Sequence, residues 1–270
     1  MDVQSTTTPT GSLTLAHWPE YLMEGACLGL FLMSACVFGV LLEHPMSPTH
    51  QALENAAVRR AIGGVAMGLT LIALVYTPWG KRSGAHMNPA FTLTFYSLGK
   101  IAGLDAAFYV ASQFAGGIIG VELADLLIGA PLRHGAVNWV VTSPGAGYSI
   151  WSVFAAEFAI SCLQMLLVLF VSNSRRLSRW TPFVAGAMVA LYIFVEGPVS
   201  GMSMNPARTF GSAFVAQDYT ALWLYFAAPL AGMLAAGQLY ANCFGLHRVL
   251  CAKLHHHNQE RCIFRCDFAE

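Results

Sequence analysis

Long apolar runs alternate with short polar ones along the chain. Six runs approach the ~20 residues a helix needs to cross a hydrocarbon core. They cover residues 20–42, 60–78, 104–128, 150–172, 182–199 and 220–244. The pattern predicts an all-α membrane protein with six spans. The segments between them are polar or rich in turn formers: 43–59 (EHPMSPTHQALENAAVR), 129–149 with Pro131, Pro144, Gly145 and Gly147, and the basic stretch 173–181. Three parts follow: a polar N-terminal tail over 1–19, a membrane domain over 20–246, and a polar C-terminal tail over 247–270.

The membrane domain repeats itself, with halves at about 20–128 and 150–245. Each half has three spans and places a glutamate in its first: Glu24 in MEGACLGLF and Glu157 in AEFAISCLQ. Each carries Met-Asn-Pro-Ala after its second span, in HMNPAFTLTF and SMNPARTFGSAF. Three is odd, so the halves must insert with opposite topology, the plan of an inverted repeat.

The triplets Asn88-Pro89-Ala90 and Asn205-Pro206-Ala207 each read as a helix start. Proline suits the first helical position, where its missing N–H costs nothing, and asparagine is a good N-cap. The helices that follow are short, to about Leu98 and about Val215. Ten residues span roughly 15 Å, half of a ~30 Å hydrocarbon core. Two half-helices thus enter from opposite faces with their N-termini near the midplane. Irregular backbone at that depth is tolerated only inside protein or along a wet cavity. The facing N-termini carry partial positive charge, and both asparagine amides are donors aimed at the same place. A water there must accept through its oxygen, which interrupts proton relay, and the positive field opposes cations.

Composition narrows the class further. The chain is 56% hydrophobic and 10% charged, far below the roughly one quarter charged of soluble domains. Its net charge of zero gives no general affinity for nucleic acid. No cleavable signal peptide, cofactor motif or catalytic constellation is present, so an enzyme is not expected. Ten of the 14 lysines and arginines fall on the side of both termini; Arg59, Arg60, Arg133 and Arg208 fall on the other. The positive-inside bias then puts both termini in the cytoplasm. Cys27, Cys36, Cys162 and Cys243 lie in apolar spans and read as small hydrophobes. Glu24 and Glu157 have two readings, proton-coupling sites or acceptors that pin the re-entrant loops; their symmetric placement favours pinning. His86, beside Met87-Asn88, reads as lining or bracing the first loop.

With SGAHMNPAFTLTF and GPVSGMSMNPARTFGSAF in place, residues 20–245 resemble the major intrinsic protein family, the aquaporins and aquaglyceroporins. The resemblance implies an aquaporin-like bundle of six tilted helices plus two half-helices, passive two-way transport, and a homotetramer with one pore per subunit in the plasma or inner membrane. It implies a selectivity filter at Met67, Ile193, Met202 and Arg208. Strict water channels usually place an aromatic and a histidine where this chain has Met67 and Ile193, and glycerol channels usually have Trp, Gly and Phe with Arg. The aliphatic fifth-span residue and the GPVSG lead-in are similar to the plant nodulin-like subgroup, which passes small uncharged solutes as well as water. Thr209, Ala213 and the Tyr225-Phe226 pair resemble water channels instead. The expected activity is conduction of water with other small neutral solutes. The alternatives are a channel mainly for glycerol or urea, a poorly conducting structural protein of the same fold, and a proton-coupled transporter.

The C-terminal tail holds His255, His256, His257, Cys262 and Cys266. No standard zinc spacing fits, so it reads as a solvated cytoplasmic tail without a metal. Metal- or redox-dependent gating is the alternative.

Overall fold

The computed structural model describes residues 16–268, so most of the expected N-terminal tail lies outside the described residues. The chain runs through α1 (Trp18–Glu43), α2 (Ala56–Tyr76), the short α3 (Pro89–Ser97), α4 (Gly103–Ile128), α5 (Ile150–Ser172), α6 (Thr181–Val195), the short α7 (Pro206–Ala216) and α8 (Leu222–Phe244). The order long, long, short, long occurs twice, once per half.

Two spans end where local chemistry dictates, not where the apolar run does. α2 starts at residue 56, earlier than the predicted 60, because Asn55 Oδ1 accepts from the N–H of Ala57 (2.9 Å) and Val58 (3.4 Å). It stops at Tyr76 because the residue before a proline disfavours helix, and Pro78 follows Thr77. Thr77 then caps a separate turn, Pro78–Ser83. The fifth apolar run was predicted to continue to 199. Its helix ends at Val195, and Pro198 opens a second turn, Gly197–Ser200. Each turn delivers the chain to one triplet. The connections are also less irregular than expected, with helical turns at Pro48–Ala52 and Ala130–Arg133.

Lipid offers no hydrophobic drive between helices, so these helices must gain from close van der Waals approach. α1 packs on α4 and α5 on α8, the same pairing in each half, while α2 and α6 pack across the halves. A Cβ on Gly116 would sit 2.0 Å from the carbonyl oxygen of Gly25, and one on Gly232 would sit 2.4 Å from that of Phe158. Neither position admits a side chain. Outward faces carry exposed leucines such as Leu30, Leu69, Leu126 and Leu163, a surface suited to acyl chains. Trp18, Trp79, Trp151 and Trp223 are exposed near helix ends, where interfacial aromatics belong.

The tail differs most from expectation. Val249, Cys251, Ala252, Lys253, Leu254 and Phe264 are buried. Leu250 N–H donates to Asn173 Oδ1 (2.7 Å), Leu254 N–H to Gly84 O (3.2 Å) and Arg265 N–H to Lys100 O (3.0 Å). Lys100 Nζ pairs with Asp267 at 2.5 Å. The tail is therefore packed in part across one end of the bundle, with its buried residues against the protein and others, such as Glu260 and Arg261, exposed. These contacts join residues far apart in sequence, and no periodicity announces them.

Candidate functional site

A cavity of about 470 Å³ passes between the two halves. Asn88 and Asn205 both line it, with Met67, Ile193, Met202 and Arg208. One end is bounded by Glu43, Arg59 and Arg60, the other by His86 and Leu254.

The re-entrant loops are built alike. Asn88 Oδ1 caps α3 by accepting from Ala90 N–H (2.9 Å). Asn205 Oδ1 caps α7 by accepting from Ala207 (3.1 Å) and Arg208 (3.2 Å). Before each asparagine, the fourth, third and first residues have positive φ: Gly84, Ala85 and Met87 in one loop, Gly201, Met202 and Met204 in the other. A non-glycine residue in that region costs about 1–2 kcal/mol, so something must hold each loop.

The holders are paired as well. Glu24 accepts from Met87 N–H and from Gln113 Nε2 (2.8 Å), both at Oε1. Glu157 accepts from Ser200 Oγ (2.5 Å) and Ser203 N–H (2.8 Å) at Oε1, and from Met204 N–H (2.8 Å) at Oε2. Tyr109 OH donates to Ser83 O (2.6 Å), and Tyr225 OH donates to Ser200 O (2.7 Å). Each tyrosine reaches the residue five before its asparagine. Tyr109, Gln113 and the bracing role of Tyr225 are not apparent from the sequence, and Ser83, one of the small residues ahead of the first triplet, turns out to be the acceptor for Tyr109. The signal available was the serine five residues before each asparagine, Ser83 and Ser200, with a tyrosine about twenty residues after that asparagine.

The asparagine amides divide their donors. Asn88 Nδ2 donates to Met204 O (2.8 Å) and Asn205 Nδ2 to Met87 O (2.6 Å). An amide nitrogen has two hydrogens, so each spends one stitching the opposite loop and keeps one for the cavity. The stitch to the opposite loop is an addition to the sequence expectation, which has both amides as donors aimed into the same place. His86 bonds Thr92 Oγ1 (3.0 Å) through Nδ1 and Ala252 O (2.8 Å) through Nε2. Both ring nitrogens are thereby occupied, and His86 braces the first loop against the tail while its ring borders the cavity. Arg208 Nη1 donates to Val140 O (2.8 Å), which orients the guanidinium from the 129–149 connection.

Residues 14–240 match the family described as Major intrinsic protein. The chain belongs to that family. Family membership and six candidate spans make it a multi-pass membrane protein of a family of channels. It is 30% identical over 226 residues to "Probable aquaporin NIP7-1" of Arabidopsis thaliana, covering 83% of this chain and 77% of that one. It is 34% identical over 188 residues to "Aquaporin NIP2-3" of Zea mays, covering 69% of this chain and 60% of the relative. The structure of the aquaglyceroporin from Plasmodium falciparum superposes with a TM-score of 0.68, covering 83% of this chain and 95% of that one. At 19% identity that likeness shows the shared fold.

Proposed function

We propose that the chain is a passive channel for water and other small uncharged solutes that excludes protons and ions. The observation that carries this reading is a single cavity lined by both triplet asparagines and Arg208. At its middle, the N-termini of α3 and α7 contribute about half a positive charge each, and each asparagine offers one free N–H. Water in single file accepts there through its oxygen and turns its hydrogens outward, so no proton wire crosses the centre.

Met67, Ile193, Met202 and Arg208 form the selectivity filter in this reading: three apolar walls and one guanidinium. Apolar walls do not penalise a carbon-bearing solute, which favours leak of glycerol, urea or hydrogen peroxide. Pinning by Glu24 and Glu157 argues against proton coupling, since Glu157 spends both oxygens on loop N–H and hydroxyl donors and Glu24 spends Oε1 on Met87 N–H and Gln113 Nε2. The chain assembles as a homotetramer in the plasma or inner membrane, with both termini cytoplasmic. Arg82, paired with Glu20, and Lys100, paired with Asp267, share the tail's end of the bundle, which supports that orientation.

Stopped-flow shrinkage of proteoliposomes, with sucrose and then glycerol as osmolyte, tests the reading. Water permeability well above that of empty liposomes is expected. Permeability equal to empty liposomes for both would refute the channel. Ile193→His adds a donor and narrows the filter, and is expected to raise the ratio of water to glycerol flux by about threefold or more. An unchanged ratio would show that Ile193 does not face the solute.

A further inference from the structure

The C-terminal tail brings four soft ligands together. Cys251, His256, Cys262 and Cys266 each offer one ligand atom, and these atoms all lie within 4.8 Å of one another. Cys251 Sγ and Cys262 Sγ are 3.6 Å apart, and Cys266 Sγ is 2.9 Å from His256 Nε2. With Zn–S near 2.3 Å, a tetrahedral S···S edge is about 3.8 Å, close to the separation seen. Four ligands, three thiolates and one imidazole, make a closed structural set of the kind zinc takes.

Three further features fit an ion at this point. The first is charge. Zinc with three thiolates carries one net negative charge. Lys253 is buried beside the sulfurs, and its ammonium donates to the carbonyls of Glu260 (3.0 Å) and Arg261 (3.1 Å). Among the described residues it has no ion-pair partner, although a buried cation needs a counter-charge. The thiolate cluster supplies it.

The second is orientation. Of the three successive histidines, His257 bonds Ser178 Oγ at 2.9 Å and His255 packs on Tyr76 with ring centroids 4.7 Å apart. Only His256 turns to the sulfurs, held by stacking on Phe268 at 4.6 Å. Lys253 N–H also donates to Cys251 Sγ at 3.5 Å. The third is economy. Beyond one short turn at Leu246–Arg248 the described tail has no helix or strand, yet Val249, residues 251–255 and Phe264 are buried. A segment this small and irregular needs a staple.

We propose that Cys251, His256, Cys262 and Cys266 bind one zinc ion, which fastens the tail over the His86 end of the cavity. The fastened residues are the ones that reach the cavity: Ala252 O receives His86, and Leu254 lines the end of the cavity. The site stands whether or not solute crosses the cavity, so its test does not depend on flux.

Full-length protein in detergent, dialysed against zinc, is expected to retain about one zinc per chain by atomic emission. Cobalt in place of zinc is expected to give thiolate charge-transfer bands and the ligand-field bands of a tetrahedral centre. Cys262→Ser is expected to weaken zinc binding by about a hundredfold and abolish those bands, and His257→Gln to change neither. Stripping zinc with a chelator is expected to speed tryptic cleavage after Lys253 by about tenfold. The proposal is overturned if wild type holds no more zinc than Cys262→Ser, or if cobalt gives a six-coordinate spectrum. It is equally overturned if Cys251 and Cys262 form a disulfide with or without zinc, or if cleavage after Lys253 ignores the chelator.

Discussion

Replacing Glu157 by glutamine is expected to cut water permeability per inserted chain by more than about tenfold and to lower the melting temperature in detergent. Glu157 collects three donors, two at Oε1 and one at Oε2. Glutamine can keep Oε1 for Ser200 and Ser203, but its Nε2 then faces the N–H of Met204, donor against donor. Losing a charge-assisted bond and leaving a buried N–H unpaired costs about 2–3 kcal/mol. Met202 and Met204 hold positive φ on that bond's support, so the loop relaxes and Asn205 moves with it.

The matched change in the other half is expected to be milder. Glu24 takes both its donors at Oε1, so Glu24→Gln keeps them and places its Nε2 where no partner is bonded among the described residues. Stopped-flow permeability normalised to inserted protein reads both variants. Equal losses in the two would show that the carboxylates do not act through these particular atoms.

The spans and the triplets were legible because each depends on local chemistry. Apolar runs of span length, Asn as cap and Pro at the first turn are visible without knowledge of any contact. Helix ends at Tyr76 and Val195 were misjudged because the apolar run continues past the residue before a proline turn. The division of the asparagine amides was invisible because Met87 O and Met204 O belong to the opposite half. Tyr109 and Gln113 carry no mark in an apolar helix until their targets, Ser83 and Glu24, are known. In the tail, the four ligands are spaced 251, 256, 262 and 266, which fits no standard zinc pattern. The turn that folds them together is set by Asn258, whose side chain bonds His255 O (2.7 Å) and Glu260 N–H (2.9 Å).

Arg208→Val is expected to open a cation leak while leaving water permeability within about threefold of wild type. A unit charge 4 Å from a passing cation raises its energy by about 4 kcal/mol at an effective dielectric of 20, worth up to roughly a thousandfold in permeation. Water carries no net charge and does not feel that barrier. The half-helix dipoles remain in the variant, so part of the exclusion survives and the full thousandfold is a ceiling. Arg208 also ties down the 129–149 connection through Val140 O, so a leak alone could come from a loosened loop. Arg208→Lys separates the two effects, because it keeps the charge while losing the planar fork that reaches Val140. Potassium flux into vesicles at a fixed membrane potential should rise in the valine variant and stay low in the lysine variant. A leak in both would assign exclusion to the loop. A leak in neither would leave the facing N-termini of α3 and α7 as the sole barrier to cations.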